Sequence, residues 1–98
     1  MTPLQVGVCT ACGRCVFPPR SLCPECGGAE WVERATAGGV VEETTMLRRV
    51  PGADVEPVAI GTVRLDEGPV VVARLHEAGT GARVGVGSEN GAPVARPA

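Results

Sequence analysis

Five cysteines fall between residues 9 and 26 of a 98-residue chain, and none follows. Their spacing constrains the fold more than any other feature of the sequence. Cys9-x2-Cys12-Gly13 is followed, ten residues after Cys12, by Cys23-Pro24-Glu25-Cys26-Gly27. Two residues between paired cysteines let both thiolates turn to one side of a tight loop. A glycine directly behind the pair supplies the positive φ such a loop takes, and lets backbone amides approach sulfur. Two loops of this kind facing each other make a closed, tetrahedral, all-cysteine site, which is the donor set of one structural zinc ion. Cys9, Cys12, Cys23 and Cys26 are the expected ligands. Cys12-x2-Cys15 has the same spacing, but Val16 rather than glycine follows Cys15. Cys15 is therefore left outside the set, as a small packing residue or, on a sharper reading, a redox-sensitive thiol.

An odd cysteine count does not suit a disulfide framework. No basic start with an apolar core precedes a cleavage-like site, and no run of ~20 apolar residues occurs. The expected compartment is a reducing cytoplasm, with no membrane span. The formal net charge is −2. Four thiolates and one Zn²⁺ add a further −2, giving about −4 in the metal-bound chain. That is the opposite of the basic footprint of a nucleic-acid binder.

The chain divides near residue 37. Residues 1–36 hold every cysteine and both aromatics, Phe17 and Trp31. Residues 37–98 carry the strand-like runs, and no Ser-rich or charged linker separates the two parts. Sixteen Val against five Leu and one Ile, with 14 Gly, favour short strands joined by turns over a helix bundle. Val40–Val50 reads as a long strand broken by Pro51-Gly52. Val58–Leu65 and Pro69–Leu75 read as a hairpin around Asp66-Glu67-Gly68, with a slip or bulge near Gly61. Arg83–Val86 reads as a short strand, Gly87–Gly91 as a loop, and Val94 as the start of a last edge strand. A single turn of helix is allowed near Leu4 or after Trp31. The expected fold is mainly β: an N-terminal rubredoxin-like zinc ribbon (1–36) followed by a small OB-fold barrel (37–98), since a flat sheet would leave its edges open.

Catalytic machinery is sparse. A four-cysteine zinc site has no open position for water or substrate. All nine basic residues are Arg, so lysine Schiff-base and P-loop chemistry are excluded. His76 is the single histidine and reads as a surface or turn residue. Ser21 and Ser88 lie outside any GxSxG context. Glu42 and Glu43 are adjacent on a strand and are expected to point to opposite faces.

The stretch Cys12-Gly-Arg-Cys-Val-Phe17-Pro18-Pro19-Arg20, then Cys23-Pro-Glu-Cys-Gly27, then Trp31, resembles the thiolase-associated family that joins a rubredoxin-like zinc ribbon to an OB-fold (domain of unknown function thirty-five). The later Thr44–Thr45 strand, Pro51-Gly52, the Leu65-Asp-Glu-Gly-Pro69 hairpin and Ala92-Pro-Val-Ala-Arg-Pro97 are similar as well. Rubredoxins proper, which hold iron, have a much longer spacer and an aromatic core, so zinc is expected here. The resemblance implies a non-catalytic subunit in a hetero-oligomer with a thiolase-like acyltransferase, thiolase or aldolase. The OB-fold would dock, and the ribbon would border a channel for acyl-CoA shared with the partner. Phe17, Pro18, Pro19, Arg20 and Trp31 become candidates for that surface. Independently, an arginine beside a rigid Pro-Pro turn suits bidentate pairing with a phosphate. The competing reading is a nucleic-acid-binding module, against which the negative charge and the absence of Tyr both count. An independent acyl-CoA enzyme is a third reading, and would need His76 or Cys15 to act.

Overall fold

The computed structural model describes residues 2–17, 20–47 and 58–98. Pro18, Pro19 and the Pro51-Gly52 break lie outside the described residues. No helix occurs among those described. The segments near Leu4 and after Trp31, where a helical turn was allowed, are strands. Among the described residues, nine strands form two sheets.

The smaller sheet is the ribbon. It contains β2 (Gln5–Cys9), β3 (Cys15–Val16) and β4 (Trp31–Ala35), in the order β3-β2-β4. β4 runs antiparallel along the whole of β2, from Gln5 opposite Ala35 to Cys9 opposite Trp31. β3 pairs the other edge through Gly7–Val16 and Val8–Cys15.

The larger sheet closes on itself. It is built from β5 (Gly39–Leu47), β6 (Val58–Leu65), β7 (Val70–Leu75), β8 (Arg83–Glu89) and β9 (Ala92–Pro97). β6 pairs antiparallel with both β5 and β7; β9 then pairs parallel with β7 and antiparallel with β8, and β8 returns to β5 at Gly39 and Val40. The result is a closed five-stranded barrel of the OB type. β1 (Thr2–Pro3) adds to the far half of β8.

Three expectations need correction. The irregularity sits on β5, between Val41 and Glu43, while β6 runs without a break through Gly61. Glu43 stands opposite Thr62, on the outer face, and Glu42 bonds the outward Arg64 at 3.0 Å. The bulge thus puts both glutamates outside, where strict alternation had separated them. Second, β8 continues through Gly87 to Glu89, and the loop shrinks to Asn90-Gly91. Both have positive φ (51° and 81°), as a two-residue type I′ hairpin turn requires. Third, β9 is no edge strand, because its pairing to both β7 and β8 seals the barrel.

Alternation fills the interior. On β7, Val71, Ala73 and Leu75 point inward while Val70, Val72 and Arg74 point out. Val63, Leu65, Val84, Val86, Val41 and Ala95 complete a core without one aromatic ring at its centre. Small, β-branched side chains suit so narrow a barrel. Two further members of that core, Leu4 and Val6, come from the ribbon's end of the chain, and half-buried Phe17 packs against it.

The β6–β7 turn ties the two sheets together. Glu67 accepts hydrogen bonds from the Thr36 hydroxyl (2.6 Å) and the Ala37 amide (2.9 Å). Burial pushes the Glu67 carboxyl up, but those two donors outweigh it and leave its pKa below the ordinary value. Beside it, Asp66 is held by both arms of the Arg83 guanidinium, which lowers the Asp66 pKa and raises that of Arg83.

Gly61 shows how close the strands come. A Cβ at this position would strike the Glu43 carbonyl oxygen and lie 2.7 Å from Leu75 Cδ1. Gly61→Ala is expected to cost about 1–3 kcal/mol in urea denaturation. Gly79→Ala, where a Cβ meets open space, should stay within about 0.5 kcal/mol of the parent.

Candidate metal centre

The two knuckles fold identically. In the first, the Gly13 amide donates to the Cys9 carbonyl (2.8 Å) and the Cys9 amide to the Arg14 carbonyl (2.9 Å). In the second, the Gly27 amide donates to the Cys23 carbonyl (2.9 Å) and the Cys23 amide to the Gly28 carbonyl (2.7 Å). Gly13 and Gly27 take φ of 80° and 74°, the left-handed values that close each loop. The leading cysteine of each pair is buried, and the trailing one is exposed.

The loops face each other. Cys9 Sγ lies 3.6 Å from Cys26 Sγ, and Cys12 Sγ lies 3.5 Å from Cys23 Sγ. All four sulfurs are within 4.8 Å of one another. Four thiolates about 2.3 Å from a tetrahedral zinc are about 3.8 Å apart, so the set fits one such ion. It is too open for disulfides, which hold their sulfurs at about 2.05 Å. Arg14, on the first knuckle, bonds Glu25 of the second at 2.8 Å and braces the pair across the top.

Electrostatics prepare these sulfurs for a cation. In the metal-free protein, the Cys12 amide leads in lowering the Cys9 thiol below its usual value. The Cys26 amide leads in lowering Cys23, to about 7. At Cys12 the Arg14 amide pulls down, but the Cys23 sulfur contact and loss of water outweigh it and push the thiol up. At Cys26 the Gly28 amide is likewise outweighed, chiefly by contact with the Cys9 sulfur. Four sulfurs this close do not all ionise unless a cation is placed among them. One zinc ion supplies that charge and ties the two loops; with four sulfur donors it leaves no position for substrate.

Cys15 stands apart from this set, half-buried on β3, with its Sγ 3.9 Å from the Gly13 carbonyl. Trp31 is half-buried opposite Cys9, and its indole Nε1 is buried with no acceptor among the described residues. Phe17 and Arg20 line one cleft with Arg14, Cys15, Pro24 and Val70, where the ribbon meets the start of β7. The structure therefore brings Phe17 and Arg20 together beside the first knuckle and places Trp31 across the β2–β4 ladder from Cys9. Arg14 was not singled out from sequence, although its place directly after Cys12-Gly13 is the signal for it. His76 is half-buried in the bend that follows β7. Its Nε2 is buried without a partner among the described residues.

Residues 4–32 match the family model described as the ChsH2 rubredoxin-like zinc ribbon domain, and residues 31–96 match the ChsH2 C-terminal OB-fold domain. A DUF35 domain-containing scaffold protein of Pyrococcus furiosus is 38% identical over 68 residues, 66% of this chain and 50% of that protein. The chain thus spans half the length of that curated relative. Among solved structures, an Ltp2-ChsH2(DUF35) aldolase superposes with a TM-score of 0.77 at 28% identity, covering 97% of this chain and 84% of that one. A DUF35-family protein of unknown function from Sulfolobus solfataricus superposes with a TM-score of 0.70 at 20% identity, covering 98% and 76%. That last similarity supports the fold alone.

Substitution separates the cysteines. Cys23→Ser is expected to lose most of the bound zinc by elemental analysis, whereas Cys15→Ser should keep one zinc per chain.

Proposed function

The chain belongs to the ChsH2 family, in which a rubredoxin-like zinc ribbon precedes a C-terminal OB-fold domain, and on that premise we propose that it is a non-catalytic subunit of an acyl-CoA-processing complex. The partner is a thiolase-like acyltransferase, thiolase or aldolase, and it carries the catalytic residues. The two chains form a hetero-oligomer in the cytoplasm. Residues 1–36 act as the ribbon and 37–98 as the docking barrel.

The observation that carries this reading is exposed apolar surface on the outside of the barrel. Val40, Val70 and Val72 are exposed on β5 and β7, and Val72 is 62% exposed. Beside Val72, half-buried Ile60 and Thr62 on β6 join Thr44 and Thr45 on β5 to line a shallow cleft. Exposed single valines are ordinary, but Val70 and Val72 share the outer face of β7 and Val72 borders this cleft, and apolar surface gathered in one place suits an interaction site. The similarity to an Ltp2-ChsH2(DUF35) aldolase and to a scaffold protein supports an enzyme of this class as the occupant.

The ribbon would border the acyl-CoA channel. Cys9, Cys12, Cys23 and Cys26 hold one structural zinc, and Phe17 and Arg20 line the cleft beside the first knuckle. Arg20 and Arg14 are exposed beside half-buried Phe17. Guanidinium groups next to an apolar wall suit a phosphorylated cofactor with an apolar arm. Pro18, Pro19 and Trp31 remain candidates from sequence.

Affinity purification of the tagged chain from native extract should retain a thiolase-fold enzyme, identified by mass spectrometry. Val72→Arg should reduce its recovery at least tenfold with little change in the chain's own thermal stability. Recovery of the parent chain alone, or acyl-CoA turnover by the isolated chain, would overturn the assignment.

A further inference from the structure

Leu4 and Val6 precede the first knuckle, yet both lie in the barrel's core, 5% and 0% exposed, among Val41, Val63, Val71 and Val84. The path that puts them there is short and stiff. β1 is anchored on β8, with Thr2 opposite Ser88 and Pro3 opposite Gly87. The next residue, Leu4, enters the barrel, and Val6 follows along β2. The same strand then delivers Cys9 to the metal centre. From Leu4 to Cys9 is five steps of extended chain, about 17 Å. β4 is laddered beside it along that length.

Two more contacts fasten this strand to the barrel. The Thr36 amide, just after β4, donates to the Leu4 carbonyl at 2.9 Å. The Thr36 hydroxyl donates to Glu67 on the barrel's β6–β7 turn. Phe17, on the far side of the first knuckle, leans on the same core. Apart from Leu4 and Val6, the ribbon buries few apolar side chains, Val8 and Val16 chief among them. So small a core does not hold three short strands without the metal.

We propose that ribbon and barrel are one cooperative folding unit, in which metal binding at the four cysteines stabilises the barrel through the Leu4–Cys9 strand. Releasing the metal frees Cys9, lets β2 part from β4, and withdraws Leu4 and Val6 from the core. Linkage makes the effect reciprocal: whatever stabilises the barrel also tightens the metal. The coupling does not depend on which partner the barrel meets.

Hydrogen exchange on the full chain tests it without any substitution. After zinc is removed by a chelator, the amides of central β6 and β7, around Val63 and Val71, are expected to lose protection at least tenfold. Trp31 fluorescence should change in the same chelator range. Barrel amides that keep their zinc-bound protection after the metal is gone would overturn the proposal. The reciprocal experiment uses Leu4→Ala, which alters no cysteine. Zinc affinity, measured by competition with a chromophoric chelator, should fall at least tenfold. An unchanged affinity in a variant whose barrel is measurably destabilised would also overturn it. Should Leu4→Ala give no folded zinc-bound protein, Leu4→Val carries the same comparison.

Discussion

Four sulfur atoms crowded within 4.8 Å form the constraint on which the rest of the ribbon depends. Left as thiols they offer only weak hydrogen bonds, and ionised together they repel. A single divalent cation reverses that balance and converts two loops into one rigid corner. Close to that corner stand the Arg14–Glu25 brace, the β3 edge, and the cleft lined by Phe17 and Arg20. A donor set of four sulfurs is that of a structural site, with no position left open for substrate.

The barrel solves a different problem. With no Tyr and with its two aromatics both in the first 36 residues, it has no large side chains to bury at its centre. It relies on Val, Leu and Ala packed from five strands, and on strand approaches so tight that Gly61 has no room for a Cβ. Outside, the same alternation leaves Val70 and Val72 facing water. Apolar residues left outside a chain that needs them inside make a surface suited to another protein.

The knuckles were legible in the sequence because their spacing encodes geometry directly; each glycine after a CxxC takes the φ that the loop demands. The β6–β7 hairpin was legible from Asp66-Glu67-Gly68 for the same reason. Other features were not. Asn90-Gly91 is a strong hairpin signal, but the surrounding glycines drew the reading toward a longer loop and hid the closure of β9 against β7. Gly61 signalled a close approach, which reads the same as a bulge until the partner strand is known. The bulge itself, at Glu42, carries no glycine. Leu4 and Val6 gave no sign that they fill the barrel, since only the tertiary path brings them to Val41 and Val63. The exposure of Val70 and Val72 is invisible for a similar reason: alternation shows that two faces exist, but not whether the outer one is covered.

The central claim is that the metal centre is closed and structural, with four cysteines and nothing else bound to the ion. X-ray absorption at the zinc edge of the purified protein addresses it most directly. The expected result is four sulfur neighbours at about 2.3 Å with no lighter atom among them. A nitrogen or oxygen neighbour bound to the zinc would mean an open position, and would contradict the account.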